Sequence, residues 1–263
     1  MSYLCAVGSW INRSYQSDIV NLEEYSTTDV AATNADCALL PVGSTEQHGP
    51  HAPLGTDTLT AKAVAEEGAA SSDSTVIVAP AVPVGIAKEH RAFDGTLWTR
   101  PEIFRAYIRD IVNSLASHNC EHVIVVNGHG GNTNALKEVT ATIVRADQVS
   151  SYAFNLFDEI GQNRAQMGHA GSIETALLRE TYPQLVSTDR IEAAAVDASD
   201  QWGEWQGKVN LAVDSDEFTE NGVVGDPREA SKSLGAELLR LAGESLCELI
   251  DAVVHRSAAP RTG

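Results

Sequence analysis

The chain has 263 residues, with 36 acidic and 18 basic side chains, and its formal net charge at pH 7 is −18. This charge argues against nucleic acid and anionic membranes as partners, because both require a basic protein face. No apolar run approaches the roughly 18 residues of a membrane span, and Met1–Cys5 does not open a signal peptide, so we expect a cytoplasmic protein. The acidic surface, with five Lys in the whole chain, suits a salt-rich, halophilic cytoplasm in which repulsion is screened.

Hydrophobic periodicity predicts strands that alternate with helices. Residues 1–25 show no period and receive no predicted role. The predicted strands are 37–42, 75–79, 122–127 and 151–156. The predicted helices are 26–34, 57–70, 101–115, 132–145, 174–180 and 228–254, before a frayed tail at 256–263. This alternation predicts a single doubly wound α/β domain over 26–255, with the loops of several strands at one rim of the sheet.

The segment Gly43–Asp57 is predicted to be a metal-binding loop. Its glycines and prolines exclude a helix, and it leaves the carboxyl end of a predicted strand, where open α/β sheets bind ligands. Glu46 and His48 are two residues apart in an extended segment, so their side chains can point the same way. A Pro-Leu-Gly turn can bring Asp57 back beside them, and the loop also contains His51.

Two residues from other loops complete a set of five candidate ligands. His129 lies between glycines just after the third strand, and Glu174 lies in the first turn of a helix. Five ligands with three carboxylates exceed one open tetrahedral site, but they suit two ions about 3.5–4 Å apart that share a carboxylate. We predict two divalent metal ions per chain, Zn, Mn or Fe(II), with Asp57 as the bridge.

Other interpretations of the same residues stay open. Gly128–Asn132 could be an anion-binding turn at a helix N-terminus, and Glu174 could simply complement its helix dipole. Trp98, Trp202 and Trp205 could line a flat pocket or serve only in packing. The four cysteines are far apart in sequence, and we expect reduced thiols without a catalytic role.

Several motifs together resemble the creatininase (creatinine amidohydrolase) family over about residues 26 to 250. They are Gly43–His51 with Asp57, Glu89–His90, Asn127–Asn132, His169–Thr175 and Gly222–Pro227. The resemblance implies a three-layer α/β/α sandwich with a mostly parallel central sheet, often assembled as a homohexamer. It also implies a metal-dependent hydrolase of non-peptide amides or formamides. The metal motif of the family corresponds to Glu46, His48, Asp57 and His129.

One position departs from the creatininase pattern. Creatininases have Glu two residues after the histidine of the third-strand loop, and this chain has Gly131 there. The chain is more similar to the branch with Gly-His-Gly-Gly-Asn, which includes archaeal deformylases of riboflavin and deazaflavin synthesis and the peptidase that trims the mycofactocin precursor. In that branch the Glu of the His-Ala-Gly motif completes the site. The resemblance therefore implies Glu174 as the fifth ligand and argues against creatinine as the substrate.

The expected reaction is hydrolysis of a small amide, lactam or formamide. A hydroxide held between the two ions attacks the carbonyl carbon, and His169 protonates the leaving amine, with Glu89 as the second choice of donor. We expect His90 to contact the substrate, whereas His169 could instead serve as a helix cap. The alternatives are a metallopeptidase that trims a small modified peptide and a metal-free scaffold protein without catalysis.

Overall fold

The computed structural model describes residues 19–118, 120–147, 149–160 and 168–256, so the predictions for 1–18 and for the tail at 257–263 lie outside the described residues. The strands are β1 (Ile19–Asn21), β2 (Cys37–Val42), β3 (Val76–Val78), β4 (His122–Asn127), β5 (Ser150–Asn155), β6 (Trp205–Gln206) and β7 (Val209–Asn210). The α-helices are α1 (Thr27–Ala32), α2 (Thr56–Ser71), α3 (Pro101–Ala116), α4 (Thr133–Ala146), α5 (Leu156–Ile160), α6 (Ser172–Thr181), α7 (Ile191–Val196) and α8 (Lys232–Val254).

Five parallel strands form the central sheet in the order β1-β3-β2-β4-β5. In the middle of this sheet, Leu39 of β2 lies between Val78 of β3 and Ile124 of β4. A parallel strand that is covered on both faces must be apolar on both. The unbroken apolar run of β4, buried from Val123 onward, therefore reports its central position.

Alternate residues of each strand pack against opposite layers of helices. Leu39 and Ile124 belong to one core with residues of α2, α6 and α8. Leu40 and Val123 belong to a second core with residues of α3 and α4. The stripe predicted for α3 is the buried face of that helix: Phe104, Ile108, Val112 and Leu115. The fold is thus the doubly wound α/β domain that the alternation predicted and the three-layer α/β/α sandwich that the resemblance implied.

The start predicted for the last helix is wrong by four residues. Pro227–Glu229 forms a separate 3-10 turn, and Ser231 caps α8 by accepting a hydrogen bond from the backbone N–H of Leu234. The helix therefore begins at Lys232 and not near Arg228. Three-residue β1, short α5 and α7, and the β6–β7 ribbon were not predicted, because such short elements show no periodicity.

The thiol of Cys37 is buried at the start of β2. Burial raises the pKa of this thiol to about 12, which does not suit a nucleophile. Among the described residues, no helix is long and apolar enough to cross a membrane.

Candidate metal centre

The five candidate ligands meet beyond the carboxyl ends of β2 and β4. Glu46 and His48 lie in the loop that leaves β2, and Asp57 lies in the first turn of α2. His129 follows β4 directly, and Glu174 lies in the first turn of α6. All five side chains are buried. The site thus lies where parallel α/β sheets bind their ligands.

The carboxylate of Asp57 lies between two imidazole rings. Its Oδ1 is 3.0 Å from Nε2 of His48, and its Oδ2 is 3.1 Å from Nδ1 of His129. Oε2 of Glu174 is 3.8 Å from the same nitrogen of His48, and Oε2 of Glu46 is 3.2 Å from the same nitrogen of His129. The five side chains therefore form two groups that share Asp57, as the prediction of a bridging carboxylate requires.

The buried polar atoms of this cluster fit a cation. Oε2 of Glu46, Nε2 of His48 and Oδ2 of Asp57 are buried and make no hydrogen bond of good geometry, although each lies 3.0 to 3.2 Å from an imidazole nitrogen or a carboxylate oxygen of the cluster. Leaving such an atom unsatisfied costs about 1–3 kcal/mol, so native proteins rarely do it. Ligand atoms of these same three residues lie within 4.8 Å of one another. Oxygen and imidazole donors at this spacing suit a divalent metal ion.

Backbone carbonyls orient the two rings that flank Asp57. Nδ1 of His48 donates to the carbonyl of Glu46 at 3.2 Å, and Nε2 of His129 donates to the carbonyl of Ile86 at 2.8 Å. The other nitrogen of each ring faces the carboxylates. When the ring is neutral, that inner nitrogen carries the lone pair that a metal ligand needs.

The carboxylates of the cluster stabilise positive charge on the neighbouring histidines. Burial would lower the pKa of His48, but Asp57 and Glu174 raise it well above its ordinary value. Burial and the carboxylates Glu46 and Asp57 compete in the same way at His129, and the pKa of His129 is also raised. In the metal-free protein, His48 and His129 are therefore protonated on the nitrogens that would face the ions. Metal binding would release these protons.

Two asparagines that the sequence analysis left without a role hold the loops in place. Asn127 donates to the carbonyl of His129 at 2.8 Å and accepts from the N–H of the same residue at 3.2 Å. Asn132 donates to the carbonyl of Gly43 at 3.0 Å and accepts from the N–H of Ile86 at 2.9 Å. Amide side chains at both ends of a glycine-rich turn are the signal that could have found them, because an amide both donates and accepts.

A strained turn carries Glu174 into the site. Ala170 has a φ of 54°, the one positive value among the non-glycine residues that the structure describes. The backbone N–H of Ala170 donates to Oε2 of Glu174 at 2.5 Å. His169 pairs with Val224 on the other side of this turn through two backbone hydrogen bonds of 2.9 and 2.8 Å. A left-handed alanine costs about 1–2 kcal/mol, so the surrounding contacts must impose it.

His169 turns one nitrogen toward the cluster. Its Nε2 donates to the carbonyl of Gln47 at 2.7 Å, and its Nδ1 is 3.8 Å from Oε1 of Glu46. Burial and the neighbouring His48 lower the pKa of His169 below its ordinary value. The ring is therefore neutral at pH 7 and not half-titrated, and it must accept a proton at Nδ1 before it can donate one.

A cavity of about 360 Å³ opens onto the cluster and is lined by Glu89, His90 and His169 besides four of the candidate ligands. Its volume is at the small end of the range for ligand pockets, which suits a small amide. Phe157 and Trp202 also line it. Phe157 was missed because α5 gives no sequence signal.

Of the three tryptophans considered, Trp202 lines the cavity. Its ring lies edge-on to His90 and His169, with centroid distances of 5.6 and 6.0 Å. Trp98 and Trp205 are exposed and are not part of the lining. Trp202 is therefore the one of these three tryptophans that contributes to the cavity.

Gly131 is tightly enclosed by the segment that carries Glu89. A Cβ at position 131 would overlap the carbonyl oxygen of Ile86 and lie 2.5 Å from Nε2 of His129. It would also lie 3.0 Å from Oε1 of Glu89. A glutamate at this position, as in the creatininase pattern, thus requires a shift of the carbonyl of Ile86 and the ring of His129. Burial raises the pKa of Glu89, which lines this side of the cavity.

His51 lies three residues after His48 and has a different environment. Its Nε2 is 2.9 Å from the hydroxyl of Thr175, and its Nδ1 is buried without a hydrogen-bond partner. Burial and the charge of His48 lower the pKa of His51 to about 4. His51 belongs to none of the groups of described residues whose atoms are spaced for a metal.

The chain is similar to known proteins over most of its length. Residues 23–250 match the model of the family described as creatininase, creatinine amidohydrolase. The mycofactocin precursor peptide peptidase of Mycobacterium ulcerans is 30% identical over 257 residues, which cover 94% of this chain and 96% of that protein. The creatinine amidohydrolase of Pseudomonas putida is 28% identical over 181 residues, covering 59% of this chain and 68% of that protein.

Solved creatininases share the fold. The structure of a creatinine amidohydrolase (creatininase) has a TM-score of 0.78 and 22% identity, covering 92% of this chain and all of that one. Two other similar structures, with TM-scores of 0.76 and 0.74 and 21% identity, are a Zn-Zn type of a creatininase variant and a creatininase Mn form. They cover 92% and 90% of this chain and 100% and 99% of their own. The family match over most of its length shows that the chain belongs to the creatininase family.

Proposed function

We propose that this protein is a divalent-metal-dependent amidohydrolase that cleaves the C–N bond of a small non-peptide amide, lactam or formamide. The observation that carries the proposal is the carboxylate of Asp57 between His48 and His129, with buried oxygen and nitrogen atoms that lack partners. Glu46 and Glu174 flank the same nitrogens. Such a cluster is costly in the absence of a cation, and its cost is offset when one binds.

Two ions would be held by two sets of residues. His48, Asp57 and Glu174 would hold one, and Glu46, Asp57 and His129 would hold the other. When bound, such ions polarise a carbonyl oxygen and supply a nucleophile at neutral pH. Zinc and manganese are the first candidates, because similar creatininases occur as Zn-Zn and Mn forms, and Fe(II) suits the same ligands.

The remaining residues of the cavity would move protons and hold the substrate. Neutral His169 accepts a proton at Nδ1 from the attacking group and returns it to the leaving amine. Glu89, with its raised pKa, is the second proton carrier. His90 lines the same cavity and contacts the substrate beside Trp202.

Metal analysis with a substrate panel tests the proposed function. Protein loaded with Zn, Mn or Fe(II) should hold about two ions per chain and hydrolyse at least one member of a panel of formamides, lactams and small amides. Less than about half an ion per chain after loading would contradict the proposal and favour a metal-free scaffold, because a filled pair of sites would hold about two ions per chain.

The role of His169 is tested by replacement with Ala. We expect kcat to fall by roughly 10²- to 10⁴-fold with metal content unchanged, because a positioned acid-base group contributes about that much. His118→Ala, at an exposed position, is the matched control. Loss of metal in the His169 variant would instead identify this ring as a ligand.

A second candidate function is a metallopeptidase acting on a small modified peptide. It is favoured by the 30% identity to the mycofactocin precursor peptide peptidase over 94% of this chain. The ratio of kcat/KM for a peptide amide to that for a small amide separates the two. A ratio well above one would assign the peptidase reaction.

Three further expectations concern the protein in solution. We propose a homohexamer, which light scattering coupled to size exclusion tests. We also propose a cytoplasmic protein adapted to high salt, on the basis of the net charge of −18. Thermal stability should then rise in molar KCl, because salt screens the repulsion between acidic side chains.

A further inference from the structure

The side-chain amide of Gln47 has a defined orientation. The backbone N–H of Gly49 donates to its Oε1 at 3.0 Å, and its Nε2 donates to the backbone carbonyl of Gly222 at 2.9 Å. A flipped amide would set donor against donor at Gly49 and acceptor against acceptor at Gly222. Two backbone groups therefore determine which end of Gln47 carries hydrogens.

This orientation dictates the protonation of His90. Nε2 of Gln47 lies 2.9 Å from Nδ1 of His90, so the second amide hydrogen is donated to that nitrogen. The hydroxyl of Ser215 is also 3.0 Å from Nδ1, but its single hydrogen is donated to the carbonyl of Glu89 at 2.9 Å. A neutral imidazole has one N–H, and in His90 it must lie on Nε2. That nitrogen is 3.5 Å from Oε1 of Glu46.

The hydrogen-bonding pattern of His90 is therefore the reverse of that of the other three histidines at the site. In His48, His129 and His169, the outer nitrogen donates to a backbone carbonyl, so each ring in its neutral form has a lone pair toward the cluster. In His90 the outer nitrogen accepts, which leaves an N–H toward the cluster. Spacing alone would allow His90 to form a metal site with Glu46 and His169. The proton on Nε2 removes that possibility, because a metal ligand needs a lone pair.

We propose that Gln47 makes His90 a hydrogen-bond donor, so that His90 is a positioning residue for the carboxylate of Glu46 and not a metal ligand. The N–H of His90 faces Oε1 of Glu46, which lies 3.5 Å from Nε2, and Oε2 of Glu46 lies 3.2 Å from Nδ1 of His129. A carboxylate held in this way loses less freedom when it binds an ion. A substrate atom that meets Nε2 of His90 must be an acceptor. The inference rests on the proposed function only in treating Glu46 as a ligand.

Gly222 is a required part of this arrangement. Its φ is +82°, a conformation in which residues with a side chain are strained. A Cβ there would overlap the amide of Gln47. Glycine at 222 thus lets the backbone carbonyl approach the amide, and this carbonyl is one of the two groups that orient Gln47.

Histidine NMR on ¹⁵N-labelled protein tests the proton position directly. In both the metal-free and the zinc-loaded protein, His90 should carry its proton on Nε2, and the spectrum of His90→Gln assigns the signal. A proton on Nδ1 of His90 would overturn the proposal. Gln47→Met keeps the length of the side chain but has no donor, so the single tautomer of His90 should be lost. His169, fixed by a backbone carbonyl, is the internal control and should not change. An unchanged His90 signal would show that Gln47 is not the cause.

Metal titration of two variants tests the positioning role. His90→Gln can place an amide N–H where Nε2 lies and should bind metal within a few fold of the unmodified protein. His90→Ala has no donor and should bind metal about ten- to hundredfold more weakly, as do losses of other groups that orient ligands. Equal losses in both variants would contradict the proposal, because a true ligand is not replaced by an amide N–H. If the unmodified protein binds no metal, the proposed function fails, while the NMR result still decides the proton on His90.

Discussion

The cavity has two walls that are built in different ways. The ligand wall consists of Glu46, Asp57 and His129, which lie at the ends of strands or helices of the central sandwich. The aromatic wall consists of Phe157 and Trp202, which lie in a short helix and in an irregular segment outside the central sheet. In the ligand wall, Nε2 of His129 donates to the backbone carbonyl of Ile86 at 2.8 Å, whereas ring contacts of 5 to 6 Å surround Trp202.

This difference separates two requirements of catalysis. Groups that hold ions need fixed positions, which strand ends and paired hydrogen bonds supply. Groups that select a substrate need shape, which loops supply on a rigid scaffold. Changes in the ligand wall should therefore alter metal binding, and changes in the aromatic wall should alter substrate affinity alone.

The largest effect is expected from Asp57→Asn. An amide cannot serve both neighbouring imidazoles as the carboxylate does, so both ions should be lost or weakened. We expect kcat/KM to fall by roughly a thousandfold or more, since several kcal/mol of stabilisation depend on the ions. Metal analysis and steady-state kinetics measure this change.

The control for Asp57 is Glu102→Gln. Glu102 is also an acidic residue in the first turn of a helix, α3, but it is exposed and outside the cavity. It should leave metal content and rate unchanged. Full metal content in the Asp57 variant would remove the basis for a bridging role.

A smaller effect is expected from Gly131→Ala. The added Cβ would press on both the carbonyl of Ile86 and Nε2 of His129, which share a hydrogen bond of 2.8 Å. Loss of a bond that orients a ligand should weaken metal binding by about ten- to hundredfold. Gly130→Ala is the adjacent control, because a Cβ there meets nothing within 4 Å. Equal affinities of the two variants for zinc would show that a Cβ at position 131 is accommodated without disturbing His129.

Replacement of His51 by Gln should remove about 2 kcal/mol of the loss in unfolding free energy that the protein shows as the pH falls. The pKa of His51 is about 4 in the folded protein and about 6.5 when unfolded, so the unfolded state binds more protons between these values. Stability that depends on neutral His51 is present above pH 6.5 and is lost as the pH falls toward 4. Between pH 7 and pH 5, the unmodified protein should lose about 2 kcal/mol more than the variant in urea unfolding at constant metal. An identical loss in both proteins would mean that His51 titrates normally.

The smallest effect is expected from Trp202→Leu in the aromatic wall. Trp202 lines the cavity, and an aromatic contact with a bound substrate would be worth about 1 kcal/mol, so KM should rise about fivefold with metal content and kcat nearly unchanged. Trp98→Leu, at an exposed position outside the cavity, is the control. Loss of metal in the Trp202 variant would show that the aromatic wall also contributes to metal binding, contrary to the proposed difference between the two walls.

The sequence predicted the sheet and most of its helices because apolar patterns report burial directly. β2 and β4 were predicted with their observed ends, since each is an apolar run bounded by polar residues or turns. The start of α8 was misplaced because the turn Pro227–Glu229, which precedes the helix, has no sequence pattern that separates it from the helix. The β6–β7 ribbon was missed because two-residue strands have no period.

The same division applies to the site. Glu46, His48, Asp57 and His129 were predicted to be ligands because metal-binding side chains follow strand ends in glycine-rich loops, and the structure brings them together. Gln47, Asn127 and Asn132 were passed over, because an amide has no chemistry of its own that a sequence pattern reveals. Their importance depends on partners that are distant in the chain, such as Gly222 for Gln47.

The order of apolar and polar residues by itself determined the alternating strands and helices and the rim on which the candidate ligands lie. It did so because hydrophobic period and strand-end position are local properties of the chain. Only the tertiary structure decided which nitrogen of each histidine faces the cluster. That choice depends on carbonyl and amide groups up to 175 residues away in sequence, as in the contact between Gln47 and Gly222.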